Sequence, residues 1–166
     1  MVSNIYTVGL AGIDGFMVNV QTDISNGLPA FDIIGLPDAA VKEAKERVKT
    51  AVKNSGCVFP AKHITMNLAP ASTRKEGSSY DLPIAVSVLE ATKQFAVTKS
   101  DKTVFMGELS LDGKVVGISG VLPMVIYAYK NGFTKAFVPK ENADEAAVID
   151  GIQIFPVSTL DDVIKH

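Results

Sequence analysis

Apolar and polar residues change their period several times along the chain, and each change marks an element. In the second apolar run, Phe16, Val18 and Val20 alternate with Met17, Asn19 and Gln21, the period of two expected of a half-buried strand. With Ile5–Ala11 before it and Gly12-Ile13-Asp14-Gly15 between, the pattern predicts a hairpin. Ser25-Asn26-Gly27 supplies a turn, and Ala30 to Gly35 reads as a third strand, so residues 5 to 35 are expected to form an antiparallel meander. From Asp38 the period lengthens. Val41, Ala44, Val48, Ala51 and Val52 recur at spacings of three and four, which puts them on one face of a helix running to about Ser55. Asp38 is its expected N-cap and Gly56 its left-handed stop. The other face is charged, with Glu43 and Arg47 at i,i+4 among lysines that read as solvated surface.

The stretch from Asn67 to Val86 organises the middle of the chain. Ile64, Met66 and Leu68 form a strand pattern that runs into Pro70. Nine small or polar residues follow, Ser72 to Tyr80, and then Asp81 and an apolar run with Pro83 in its first turn. Asp81 is the expected helix N-cap, because its carboxylate can accept first-turn amides. Leu82, Ile84, Ala85, Val86, Val88 and Leu89 leave almost no polar face, so this helix is expected to be buried on more than one side. Beyond it, Thr103–Leu111 and Lys114–Ile118 flank Asp112-Gly113, a strong hairpin signal of type I′. Val121–Asn131 reads as a helix that tolerates Pro123 near its start and stops at Gly132. Short strands at Lys135–Val138 and Ile152–Pro156 flank a helical segment near Asn142–Val148, and a last turn covers Leu160–Ile164. Strand, helix and strand at such spacing imply right-handed parallel crossovers, so the fold class is α/β with a mixed sheet.

Composition narrows the functions open to this chain. Its 166 residues, 47% hydrophobic, suffice for one well-buried core and predict a single domain over residues 1–166. A net charge of −2 provides no global field to recruit nucleic acid, so any such contact must be local. Cys57 has no partner for a disulfide, and His63 and His166 form no metal-ligand pattern. The N-terminus lacks the basic-then-apolar order of a signal peptide, and no apolar run approaches the roughly 18 residues of a spanning helix. The expectation is a cytoplasmic protein without a membrane partner.

Several motifs then carry a resemblance. N-G-L-P at 26 to 29, G-L-P at 35 to 37, N-L-A-P-A at 67 to 71, K-E-G-S-S-Y-D-L-P-I-A at 75 to 85, G-E-L-S-L-D-G at 107 to 113 and V-P-K-E-N at 138 to 142 cover nearly the whole chain in order. Together they resemble the N-terminal domain of the ComM and YifB group of magnesium-chelatase-related proteins. The resemblance implies a Lon-protease-like α/β fold standing before an AAA+ ATPase module, in a homo-hexameric motor that drives branch migration of DNA during natural transformation. Its partners would be its own ATPase module, neighbouring subunits and DNA. No G-x-x-x-x-G-K-[ST] phosphate loop occurs here, so ATP and Mg2+ are expected in a module beyond residue 166 and no cofactor in this chain.

The resemblance to Lon also raises peptidase chemistry, which needs a serine and a base to take its proton. Ser79 matches the position of the Lon nucleophile. The lysine base belongs in the helix after the G-E-L hairpin, and Leu122 stands there, a side chain that can neither take nor give a proton. The expected role is therefore a non-catalytic accessory domain. Two alternatives remain open: a serine hydrolase with a displaced base, and a small-anion site where Ser78, Ser79 and the free amides near Asp81 meet a phosphate. Arg74 and Lys75 are the candidate contacts to DNA or to a neighbouring subunit, as two cations held at the surface on a loop anchored by Pro70 and Asp81. Lys75 is free in this reading to pair with Glu76 or Asp81.

Overall fold

A computed structural model describes residues 2–97 and 102–166. The main element is a seven-stranded mixed sheet. Its strands are β1 (Val2–Ala11), β2 (Asp14–Ser25), β3 (Ala30–Ile34), β4 (His63–Ala69), β5 (Thr103–Phe105), β8 (Lys135–Pro139) and β9 (Gln153–Val157), in the order β3-β4-β2-β1-β5-β8-β9. A separate ribbon pairs β6 (Glu108–Leu109) with β7 (Val115–Val116). The helices are α1 (Ala39–Asn54), α2 (Asp81–Ala91), α3 (Val121–Lys130), α4 (Ala143–Ala146) and α5 (Leu160–Ile164). This is the mixed α/β architecture that the patterning and the resemblance imply. No helix among the described residues is long and apolar enough to cross a membrane.

The first hairpin forms as the alternation requires, with Ala11 opposite Asp14 and Ile5 opposite Val20. The expected meander does not continue into β3. β4 inserts between β2 and β3, antiparallel to β2 and parallel to β3. The direction follows from the intervening helix: α1 carries the chain from β3 back to the same end of the sheet, so β4 pairs with β3 in parallel. On the other side, β1, β5, β8 and β9 pair in parallel.

Strand alternation divides the core in two. Phe105 and Phe137 pack with α1, α2 and α5 on one face, while Val104, Ala136 and Val138 pack with α3 and α4 on the other. Nine consecutive residues of α2, Asp81 to Leu89, are buried, as an apolar helix without a polar face should be. Its one buried hydroxyl, Ser87, is satisfied by Ser3 at 2.9 Å and Thr22 at 2.6 Å. The expected strand from Thr103 to Leu111 is broken at Met106 and Gly107, whose amides bond to Phe137 and Ser79 carbonyls, and the chain then leaves the main sheet as β6.

The hairpin turn differs in type from the expectation. Gly113 N–H donates to Ser110 C=O at 3.0 Å, and Gly113 has φ +88°, whereas Leu111 and Asp112 keep negative φ. A type I′ turn needs positive φ at both central residues, so this is a three-residue connection closed by a left-handed glycine.

Candidate functional site

The loop between β4 and α2 is held at several points. Lys75 N–H donates to Leu36 C=O at 3.0 Å, and Asp38 N–H donates to Lys75 C=O at 2.9 Å, so the loop pairs with the corner before α1. Asp38 caps α1 as expected, accepting from Val41 N–H at 2.7 Å with one carboxylate oxygen. Its other oxygen accepts from Gly77 N–H at 3.1 Å and ties the loop to the helix start.

Lys75 is not a surface cation. The residue is fully buried, and its ammonium donates to Gly35 C=O at 2.7 Å and to Pro70 C=O, pairing with neither Glu76 nor Asp81. Burial pushes its pKa down, since the fold disfavours a charge removed from water. The lysine instead joins three chain segments that converge at this end of the sheet. Arg74 does stand in solvent, with its side chain 69% exposed and its guanidinium 3.1 Å from Glu76.

Asp81 is likewise not the N-cap of α2. That position is Tyr80, with no side-chain cap. The first helical amides are taken by backbone carbonyls: Asp81 N–H by Ser78 at 3.3 Å, Leu82 N–H by Gly107 at 3.0 Å and Ile84 N–H by Tyr80 at 2.9 Å, while Pro83 has none to offer. The amides of Asp81, Leu82 and Ile84 are thus satisfied within the protein and do not face a phosphate. The Asp81 carboxylate, fully buried, instead receives Arg47 through Nε at 2.7 Å and Nη2 at 3.0 Å, and Leu109 N–H at 3.0 Å. Burial raises the Asp81 pKa, and the Arg47 guanidinium and Leu109 amide act against that rise. Arg47 looked in sequence like one more residue of a charged helix face; no local signal separates it from the lysines around it.

Ser79 lies in a cleft of about 360 Å³ between this loop and the segment leading into α3, lined by Leu10, Glu76, Ser78, Ser79, Ile118 and Ser119 among others. The structure thus brings together the serine loop and the start of α3. Leu122 is half-buried and does not line the cleft. A serine needs a proton acceptor to become a nucleophile. Among the described residues, no side chain is hydrogen-bonded to the Ser79 hydroxyl, and the one ionisable group lining the cleft, Glu76, is paired with Arg74. No group of three or more metal-ligating side chains occurs among the described residues.

The chain is similar in sequence to several known proteins. A family model described as subunit ChlI of Mg-chelatase matches residues 20–142. YifB of Escherichia coli is 43% identical over 149 residues, covering 90% of this chain and 29% of its own length. The competence protein ComM of Haemophilus influenzae is 37% identical over 161 residues, covering 97% of this chain and 31% of its own length. A Lon protease of Azospirillum brasilense is 27% identical over 174 residues, 96% of this chain and 21% of that protease. The chain thus spans less than a third of the length of each of these relatives.

Proposed function

This chain belongs to the family of subunit ChlI of Mg-chelatase, and from that membership we propose that it is the non-peptidase, contact-making domain of a longer ATP-dependent motor that acts on DNA. The observation behind the non-peptidase part of this reading is the Ser79 cleft, where no side chain among the described residues is hydrogen-bonded to the serine hydroxyl. Likeness to a competence protein supports DNA as the motor's substrate, and the reading places its action in branch migration during natural transformation. The sequence carries no G-x-x-x-x-G-K-[ST] phosphate loop, so this reading assigns no ATP or Mg2+ to this chain. They belong to the remainder of the motor, a cytoplasmic homo-hexamer in this reading. The role of the present domain is then mechanical: a rigid sheet with a tied-down loop presents Arg74 to DNA or to an adjacent subunit.

The second reading, a serine hydrolase, draws on the likeness to a Lon protease. Peptide turnover by the full-length protein distinguishes the two. We expect none from the wild type, while ATP hydrolysis and strand exchange on branched DNA persist in Ser79→Ala. Turnover by the wild type that vanishes in Ser79→Ala would establish the hydrolase and overturn the accessory role.

A further inference from the structure

The two edges of the main sheet are built differently. β9 reads Q-I-F-P-V, and Pro156 in its interior offers no amide to an incoming strand. β3 reads A-F-D-I-I, without proline or lysine, and among the described residues pairs with β4 alone. Ala30 N–H donates to Lys62 C=O on the β4 side at 3.3 Å. Backbone groups alternate in direction along a strand, so Ala30, Asp32 and Ile34 bond toward β4, and the N–H and C=O groups of Phe31 and Ile33 point outward from the sheet. Four strand-pairing groups are therefore presented along an edge whose one charged side chain is Asp32. Apolar side chains flank it: Leu28 is 87% exposed, Ile34 54% and Leu36 52%.

We infer that the β3 edge accepts an extended peptide strand, antiparallel to β3, with a basic residue opposite Asp32 and apolar residues on either side. The charge preference follows from the register. A strand bonded to Phe31 and Ile33 places its central residue against Asp32 in a non-hydrogen-bonded pair, where side chains approach most closely. The Asp32 side chain is 61% exposed and keeps Oδ1 free, while Oδ2 contacts His63 Nε2 at 2.9 Å. A lysine or arginine there meets an opposite charge. A second copy of β3, paired so that Phe31 faces Ile33, would set Asp32 against Asp32, and like charges in that position repel. On the inner face, Phe31 packs against Phe59 with ring centroids 5.7 Å apart and Ile33 belongs to the core, so apolar residues flanking the cation would extend that core by one strand.

Two capped pentapeptides test this on the 166-residue chain: Val-Val-Lys-Val-Val, and the same sequence with glutamate at its centre. The lysine peptide is expected to shift the backbone amide resonances of Phe31 and Ile33 and to bind about fivefold tighter than the glutamate peptide, a ratio set by opposite against like charge in a cross-strand pair. Asp32→Lys, at an exposed position, should invert that order, and Asp32→Asn should abolish the difference. Equal binding of both peptides by the wild type, an uninverted order in Asp32→Lys, or shifts that avoid β3 would each overturn the inference. Dimers seen by light scattering in Asp32→Asn that block peptide binding would also overturn it, by making a second copy the occupant.

Discussion

Two buried charges at one end of the sheet are resolved by different means. Asp81 has a cationic partner, and removing one member of a buried pair leaves the other charge uncompensated. Arg47→Ala is therefore expected to cost about 3 kcal/mol in urea denaturation, and Arg47→Met combined with Asp81→Leu should recover much of that loss. The pH dependence of the single variant has a definite sign. Burial raises the Asp81 pKa, and without Arg47 less opposes that rise. Below the ordinary carboxylate pKa, near 4, the group is protonated whether folded or unfolded and carries no charge penalty. Between that value and the raised folded pKa, the folded state binds more protons, so stability falls as pH rises. The deficit of Arg47→Ala should thus be smallest in acid and level off above the folded pKa. An equal deficit at all pH values would show that the carboxylate charge is not the cause. Lys75 has carbonyls in place of a countercharge. Lys75→Met keeps much of the buried chain but leaves the Gly35 and Pro70 carbonyls without their ammonium donor, at an expected cost of about 2 to 4 kcal/mol. Wild-type stability in Lys75→Met would mean that those carbonyls find other donors.

Among the elements, the β6–β7 hairpin depends on one backbone conformation. Gly113 has φ +88°, and a Cβ added there would lie 2.6 Å from Ser55 Oγ at the end of α1. The Gly113 carbonyl also accepts Leu160 N–H at 2.8 Å, so the turn joins α1 to the start of α5. Gly113→Val should lower stability by about 1 to 3 kcal/mol, the range for backbone strain at such a position. The midpoint of chemical denaturation checks this, and an unchanged midpoint would mean that the hairpin carries none of the link between the helices. α2 belongs to the same scale. Because the loop and Gly107 supply carbonyls to its first amides, the Asp81 side chain is released for Arg47 and Leu109, and the helix start anchors α1 and the β6 ribbon together.

For the whole molecule, exposed charge decides what the domain can offer the proposed motor. Arg74 is a surface cation on a loop whose ends and middle are fixed, and Lys75 beside it is withdrawn into the protein. If Arg74 meets a DNA phosphate in the full-length protein, Arg74→Ala should weaken binding to all sequences alike and reduce the salt dependence by about one unit of log–log slope. Its own stability should hardly change, because an exposed pair such as Arg74–Glu76 contributes at most about 1 kcal/mol. A salt titration of the full-length variant, with its assembly state measured by light scattering, separates a DNA contact from a subunit contact. Unchanged slope, affinity and assembly would leave Arg74 a solvated side chain.

What the sequence determined by itself is what depends on neighbours along the chain. Periodicity set the buried face of α1, residue for residue, and the burial of α2; Asp38, Gly56 and Gly132 marked helix ends by chemistry that acts within one turn. The motifs that resemble the magnesium-chelatase-related group also pointed to Ser79 and Leu122 without any coordinates. Tertiary structure alone decided matters between distant segments. β4 separates β2 from β3 because strand pairing joins residues tens of positions apart, and an alternating pattern carries no label for its partner. Lys75 is buried and Asp81 is no cap, against the local pattern, for the same reason. A charge is buried or solvated according to which carbonyls or guanidinium the fold brings within 3 Å, and Gly35, Pro70 and Arg47 reach them only after the sheet and helices have closed around that loop.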